Sequence, residues 1–227
     1  MHSCLWVQTS ALGCRTLRKY GPALAGVLFD LDGTLVDSES VWDDVYCELA
    51  GRALPPELLS RTDGLDVRSA LRIVHAELGW PMTAASSSAD WVERRVAELL
   101  ADARWLPGAA ELLAELRSAG VPTALVTATR RRVVSSIPGL GGFAVMVCGD
   151  DVPEGKPHPG PYRSAVRQLG VAADRCVAVE DTVIGAASAA GAGCAVLLAA
   201  EEPAGGYAWR ASLAGVDAAY LRGLLPR

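Results

Sequence analysis

Five short apolar runs, each closed by a polar cluster and separated by helical periodicity, constrain this chain more than any other feature. They lie at residues 25–29 (AGVLF), 121–126 (VPTALV), 143–148 (FAVMVC), 175–179 (RCVAV) and 194–198 (CAVLL). Strands without polar alternation are buried on both faces, the mark of a parallel sheet covered by helices on each side. Helical patterns fall between them, at 109–119, in a shorter stretch near 130–136, at 161–169 and at 183–190. The expected class is α/β, a doubly wound parallel sheet with a Rossmann-like core.

One stretch breaks the alternation. Residues 40–104 show only helical periodicity, at 41–50, 55–61, 67–78 and 89–103. That block is too long for a simple crossover between parallel strands. It reads as an inserted helical cap over the end of the first strand, leaving 25–39 and 105–227 as the core. Residues 84–89 (AASSSA) read as a flexible loop within the insertion. Residues 1–24 read as a tail without an assigned role, because their charges follow their mildly apolar part, the reverse of a secretory signal. Residues 182–200 carry no charge over nearly the length of a membrane-spanning helix. Their change of character at Gly191-Ala192-Gly193 predicts instead a buried helix followed by a buried strand.

Charge narrows the partners. The 227 residues hold 21 Lys and Arg against 26 Asp and Glu, for a net charge of −5. The first 29 contribute Arg15, Arg18 and Lys19 and no acid, so the remainder is more acidic still. A dedicated nucleic-acid binder carries the opposite balance, and no membrane partner is expected. At 51% hydrophobic the chain can bury a full core. Its six cysteines form no CxxC pair and have no His at ligand spacing, which argues against a zinc site and for reduced thiols in a cytoplasmic protein. A monomer is expected, with a dimer as the alternative.

In open α/β sheets ligands bind beyond the carboxyl ends of the strands. The polar residues there are Asp30-Leu31-Asp32-Gly33-Thr34, Thr127-Ala128-Thr129-Arg130, Gly149-Asp150-Asp151 with Gly155-Lys156-Pro157 beyond, and Glu180-Asp181-Thr182. Clustered acids repel one another unless a cation sits among them. Oxygen ligands favour Mg²⁺, which keeps waters free for a phosphate-bearing substrate.

These residues resemble the four motifs of the haloacid dehalogenase-like hydrolase superfamily: FDLDGTLVDSE at 29–39, VTAT at 126–129, GKPHPGPY at 155–162 and VEDT at 179–182. The order is the family's, and the helical insertion after the first motif resembles its small helical cap. That subclass contains sugar phosphatases, phosphoglycolate phosphatases and β-phosphoglucomutases. The resemblance implies that Asp30 is the nucleophile that becomes an aspartyl-phosphate, and that Asp32 is the general acid and then the base. It makes Thr127 and the Ala128 amide phosphate ligands, and Lys156 the neutralising cation. Metal ligands would be Asp30, Asp32 through its carbonyl, Asp181 and Glu180, with Gly33 and Thr34 keeping the turn tight. Carbon–halogen dehalogenases lack an acid two residues after the nucleophile, because halide leaves without a proton. Asp32 therefore points to phosphate chemistry.

The implied function is Mg²⁺-dependent hydrolysis of a small phosphorylated metabolite, a sugar or polyol phosphate. A β-phosphoglucomutase-type isomerase is the alternative, but its characteristic cap His and Lys are replaced here by the Trp42 region and Asp63. A non-catalytic Mg²⁺- and phosphate-binding module is a second alternative, disfavoured by the presence of both Asp30 and Asp32. Asp37, Glu39, Trp42, Asp63 and Arg68 are the candidate substrate contacts in and beside the cap. His75 reads as structural and His158 as a solvated loop residue. Between Thr127 and Gly149 the chain is shorter than the family usually carries, and Pro138 predicts a helix of about two turns or local strain.

Overall fold

The structure, a computed structural model, describes residues 23–226, so the tail expected at 1–24 lies outside the described residues except for its last two. Strands β1 (Gly26–Phe29), β2 (Thr123–Val126), β3 (Val145–Val147), β4 (Cys176–Glu180), β5 (Ala195–Ala199) and β6 (Ala208–Arg210) form one sheet. Their order is β3-β2-β1-β4-β5-β6, and every neighbouring pair is parallel. Both faces are covered. Val27 and Phe29 pack on one side with Leu112 and Leu116, while Leu28 packs on the other with Tyr162 and Ala186. Each such side chain removed from water contributes roughly 1.5–3 kcal/mol, so a strand buried on both faces cannot slip in register without a large loss.

Helices α1 (Glu39–Ala50), α2 (Pro56–Leu59), α3 (Val67–Leu78) and α4 (Ala85–Leu99) stand between β1 and β2 and form the helical cap. The chain enters and leaves this insertion through two antiparallel linkers. Asp37 N–H donates to the Arg104 carbonyl at 2.9 Å, and Leu106 N–H to the Leu35 carbonyl at 2.9 Å, around a Val36–Trp105 bridge. Asp66 caps α3 by accepting from the amides of Arg68 and Ser69. Within the cap His75 is fully buried, with Nδ1 3.1 Å from the Pro81 carbonyl and Nε2 3.1 Å from the Ser88 hydroxyl.

Three expectations change. Residues 84–89 are not a loop: a 3₁₀ turn at Met82–Ala84 runs into α4. Ser87 donates to the Ala84 carbonyl, Ser88 pairs with His75 and Ala89 is buried, so the serines serve the helix start that their polarity disguised. The helix near 130–136 is a single turn, α6 (Arg131–Val134), and Gly139 at φ 87° turns the chain just past Pro138. The sixth strand, β6, was not anticipated, because its three residues form no apolar run. It is held by parallel pairing with β5 and by Trp209 Nε1 donating to the Ala200 carbonyl at 2.8 Å.

The remaining helices are α5 (Ala109–Ser118), α7 (Gly160–Leu169), α8 (Val183–Gly191) and α9 (Ala218–Gly223). The uncharged stretch at 182–200 is α8 followed by β5. Among the described residues no helix is long and apolar enough to cross a membrane.

Candidate active site

The site stands over the carboxyl ends of β2, β1 and β4, three adjacent strands at the point where the chain changes direction across the sheet. Asp30 directly follows β1, Thr127 directly follows β2 and Glu180 ends β4. The Asp30 amide donates to the Val179 carbonyl at 3.0 Å, which ties the two central acidic segments together. Gly33 turns the chain at φ 72°, and a Cβ there would lie 2.2 Å from Asp181 Oδ2 and 2.9 Å from Glu39 Oε1. Only glycine allows both the turn and the close approach of these carboxylates. Gly185, in the first turn of α8, makes room for Glu180 in the same way, since a Cβ would lie 2.0 Å from Oε2.

Lys156 reaches in from the loop after β3, and its Nζ lies 2.5 Å from Asp30 Oδ1 and 2.5 Å from Glu180 Oε1. The phenol of Tyr162 also donates to Glu180 Oε1. Burial disfavours the Lys156 ammonium, but Asp30 and Glu180 together overcome it and hold the lysine above its usual range. Burial pushes Asp30 up to about 8, against the pull of Lys156 and with help from Glu180 and Asp32. It also raises Glu180, and Asp181 rises well above the carboxylate range through burial and repulsion from Asp30 and Glu180.

Asp30, Glu180 and Asp181 each offer an oxygen within 4.8 Å of the others. Three carboxyls stand about one ammonium, burial disfavours their charged forms, and Glu180 Oε2 is buried without a partner. A hard divalent cation fits this donor set.

Asp32 points elsewhere. Its Oδ1 accepts from Ser38 Oγ at 2.7 Å and Trp42 Nε1 at 2.9 Å. Its Oδ2 accepts from Thr129 Oγ1 at 2.7 Å and, more weakly, from Thr127 Oγ1 at 3.3 Å. The Asp32 carbonyl takes no part in these contacts.

The cap closes over these groups to make a cleft that is open to solvent. It contains Asp30, Asp32, Thr127, Ala128, Lys156, Glu180 and Asp181 together with Glu39, Trp42 and Asp63. Arg68 lies outside it, in an adjoining recess that shares Thr127, Arg130 and Lys156. Asp37 is exposed at the linker and lines neither space. The cap wall is acidic: burial, with Glu39 and Asp43 nearby, pushes Asp63 up to about 6, and burial with Glu39 and Asp44 raises Asp43.

Several participants escaped the sequence reading. Glu93 of α4 is 1% exposed and pairs with Arg130 at 3.4 Å and Arg132 at 3.2 Å, joining cap to core. Its signal was present, a carboxylate in the same helical stripe as the buried Ala89, Val92, Val96 and Leu100. Ser38 and Thr129 stood within the motif segments without an assigned role, whereas Asp43 and Tyr46 had no such signal, being ordinary residues until the fold brings them to the cleft. His158 is a half-exposed loop residue paired with Glu154 at 3.2 Å.

The model of the family described as haloacid dehalogenase-like hydrolase matches residues 24–193. Hexitol phosphatase A of Escherichia coli is 36% identical over 76% of this chain and 81% of its own length. Protein CbbY of Cereibacter sphaeroides is 32% identical over 86% and 90%. The crystal structure of CbbY from Rhodobacter sphaeroides in complex with phosphate superposes with a TM-score of 0.71 at 26% identity, covering 87% of this chain and 99% of that one. With the sheet order, the cap and the acidic strand ends in place, the chain belongs to the haloacid dehalogenase-like hydrolases, in the subclass with a small helical cap.

Proposed function

We propose that the protein is a Mg²⁺-dependent phosphomonoester hydrolase that acts on a sugar or polyol phosphate through an aspartyl-phosphate. The observation that carries this reading is Asp32, an acid held in the cleft two residues beyond the lysine-paired Asp30. In the first step an Asp30 carboxylate oxygen attacks phosphorus. The bond to the substrate oxygen breaks, and Asp32 gives the departing alkoxide its proton. In the second step Asp32 takes a proton from water, and the resulting hydroxide attacks the same phosphorus. The bond to Asp30 then breaks and inorganic phosphate leaves.

One carboxyl serves both steps because it ends the first in the form that the second needs. Lys156 balances charge on Asp30 and on the phosphoryl oxygens, while Thr127 and the Ala128 amide hold those oxygens. Mg²⁺, held by Asp30, the Asp32 carbonyl, Asp181 and Glu180, would supply further neutralisation of the phosphoryl group.

The cap wall supports the substrate class. Glu39, Asp43 and Asp63 present acceptors that suit the hydroxyl donors of a polyol and repel a second anionic group placed against them. The names of the two curated relatives agree with a phosphorylated carbohydrate for the first and leave the choice open for the second. The test is turnover of a panel of phosphorylated metabolites with Mg²⁺ and with excess EDTA. Hydrolysis of hexose or hexitol phosphates that stops with EDTA is expected. Equal rates in EDTA would remove the metal, and conversion of β-glucose 1-phosphate to glucose 6-phosphate would establish the mutase alternative.

A further inference from the structure

The four groups that hold Asp32 differ in kind and in origin. Ser38, Thr127 and Thr129 are hydroxyls on the linker and core, able either to donate or to accept. The indole N–H of Trp42 can only donate, and it comes from α1, the first cap helix. Ser38 and Trp42 occupy Oδ1 at 2.7 and 2.9 Å. Oδ2 has one close partner, Thr129, and the longer Thr127 contact of 3.3 Å. Oδ1 is thus the anchored oxygen and Oδ2 the one left with capacity to meet a substrate oxygen or a water. The polar atom of Trp42 is spent on Asp32, and its ring lies 6.3 Å from that of Tyr46 within the cap.

We propose that Trp42 is a positioning residue that aligns the acid/base Asp32 only while the cap is seated, so that cap closure and readiness for proton transfer are one event. The inference rests on the reading of Asp32 as the acid/base of phosphate hydrolysis. A hydroxyl in place of the indole could turn away and accept; the indole cannot, and it forces Oδ1 to remain an acceptor in a fixed pose. A hydrogen bond to a carboxylate is worth enough that its loss should slow the steps that depend on Asp32 by about tenfold to a hundredfold.

The test uses the full chain with Mg²⁺ and an aryl phosphate, in wild type, Trp42→Phe and a Trp42→benzothienylalanine variant in which sulfur replaces the N–H within the same ring shape. Both variants should lose about tenfold or more in kcat, with KM within about twofold. In rapid-quench mass spectrometry both should hold more phosphate on Asp30 than wild type, because a good leaving group needs little protonation whereas release from Asp30 needs the base. Unchanged kcat in the isosteric variant overturns the proposal. So does a raised KM at constant kcat, which would make Trp42 a substrate contact, or a loss in Trp42→Phe alone, which would make it packing. A wild-type enzyme with no phosphate on Asp30 would overturn the underlying hydrolysis reading as well, and that arm is scored before the variants.

Discussion

Replacing Lys156 by methionine keeps the length of the side chain and removes the cation that pairs with the buried acids. The ammonium is 3% exposed and touches Asp30 and Glu180 at 2.5 Å each. Breaking a buried pair by deleting one partner costs about 3–5 kcal/mol, because the other charge is left without compensation. Here the groups left behind are the carboxyls of Asp30, Glu180 and Asp181, which burial already pushes up. That is a large share of the 5–15 kcal/mol that holds a domain together, and it corresponds to a fall in Tm of roughly 10 °C for a chain of this size.

The pH dependence has a fixed sign. Asp30 already has its carboxyl raised to about 8 in the folded protein, against an ordinary value near 3.8. A group raised on folding contributes stability that is full below its unfolded value and is lost as pH rises through its folded value. Without Lys156 the carboxyls move further up, so the two proteins part only as pH rises through about 8, and Lys156→Met should cost most at about pH 9.5 and markedly less at about pH 6. Urea titrations of both proteins in EDTA at those two pH values measure the difference, and repeating them with Mg²⁺ should return part of the loss at the higher pH. A cost below about 1 kcal/mol at the higher pH would refute the reasoning, as would a cost that does not change with pH.

Asp30→Asn and Asp32→Asn should fail differently. With an aryl phosphate, intact-protein mass spectrometry should find no phosphate on the Asp30→Asn protein, whereas Asp32→Asn should accumulate the adduct on Asp30 with turnover lowered by roughly 10²- to 10⁴-fold. The Asp32→Asn protein should fold, because an amide oxygen can still accept from Ser38 and Trp42 while the Thr129 hydroxyl turns to accept from the amide nitrogen. Glu93→Gln should lower stability by only about 1–2 kcal/mol in denaturant titration, since Arg130 and Arg132 are 32% and 40% exposed and can turn to water.

The core was legible because two independent signals coincide there. Apolar runs such as VLF before Asp30 mark strands by burial, and the residue that ends each run must stand at the rim where ligands bind. Fold class and the convergence of Asp30, Thr127, Lys156, Glu180 and Asp181 follow from one pattern. The cap gives only amphipathic helices, and the 3.6-residue period says which face is buried but not what that face meets. Periodicity thus located α3 at its observed bounds, 67–78, without showing that Arg68 would sit in the recess beside the cleft and Asp63 in the cleft itself. Composition misled at Ser87 and Ser88, whose hydroxyls serve a helix, and missed β6, whose three residues are strand only because β5 offers an edge.

Besides the linkers, three of the contacts that join cap to core lie beside a group of the proposed catalytic machinery. Trp42 donates to Asp32. Gly64, at φ 69°, approaches Thr182 so closely that a Cβ would lie 3.0 Å from its hydroxyl, one residue beyond Asp181. Glu93 grips Arg130, three residues beyond Thr127. On the proposed mechanism, seating the cap over a substrate makes these contacts, and with them the alignment of Asp32, the acidic cluster and the turn after β2. Binding energy from the part of the substrate that touches the cap is then available to assemble the catalytic groups. On this account a cap substitution far from phosphorus alters kcat as readily as KM. The acidic wall of Glu39, Asp43 and Asp63 thus bears on rate as well as affinity, since a ligand that fails to satisfy it leaves the cap unseated and Asp32 without its indole partner.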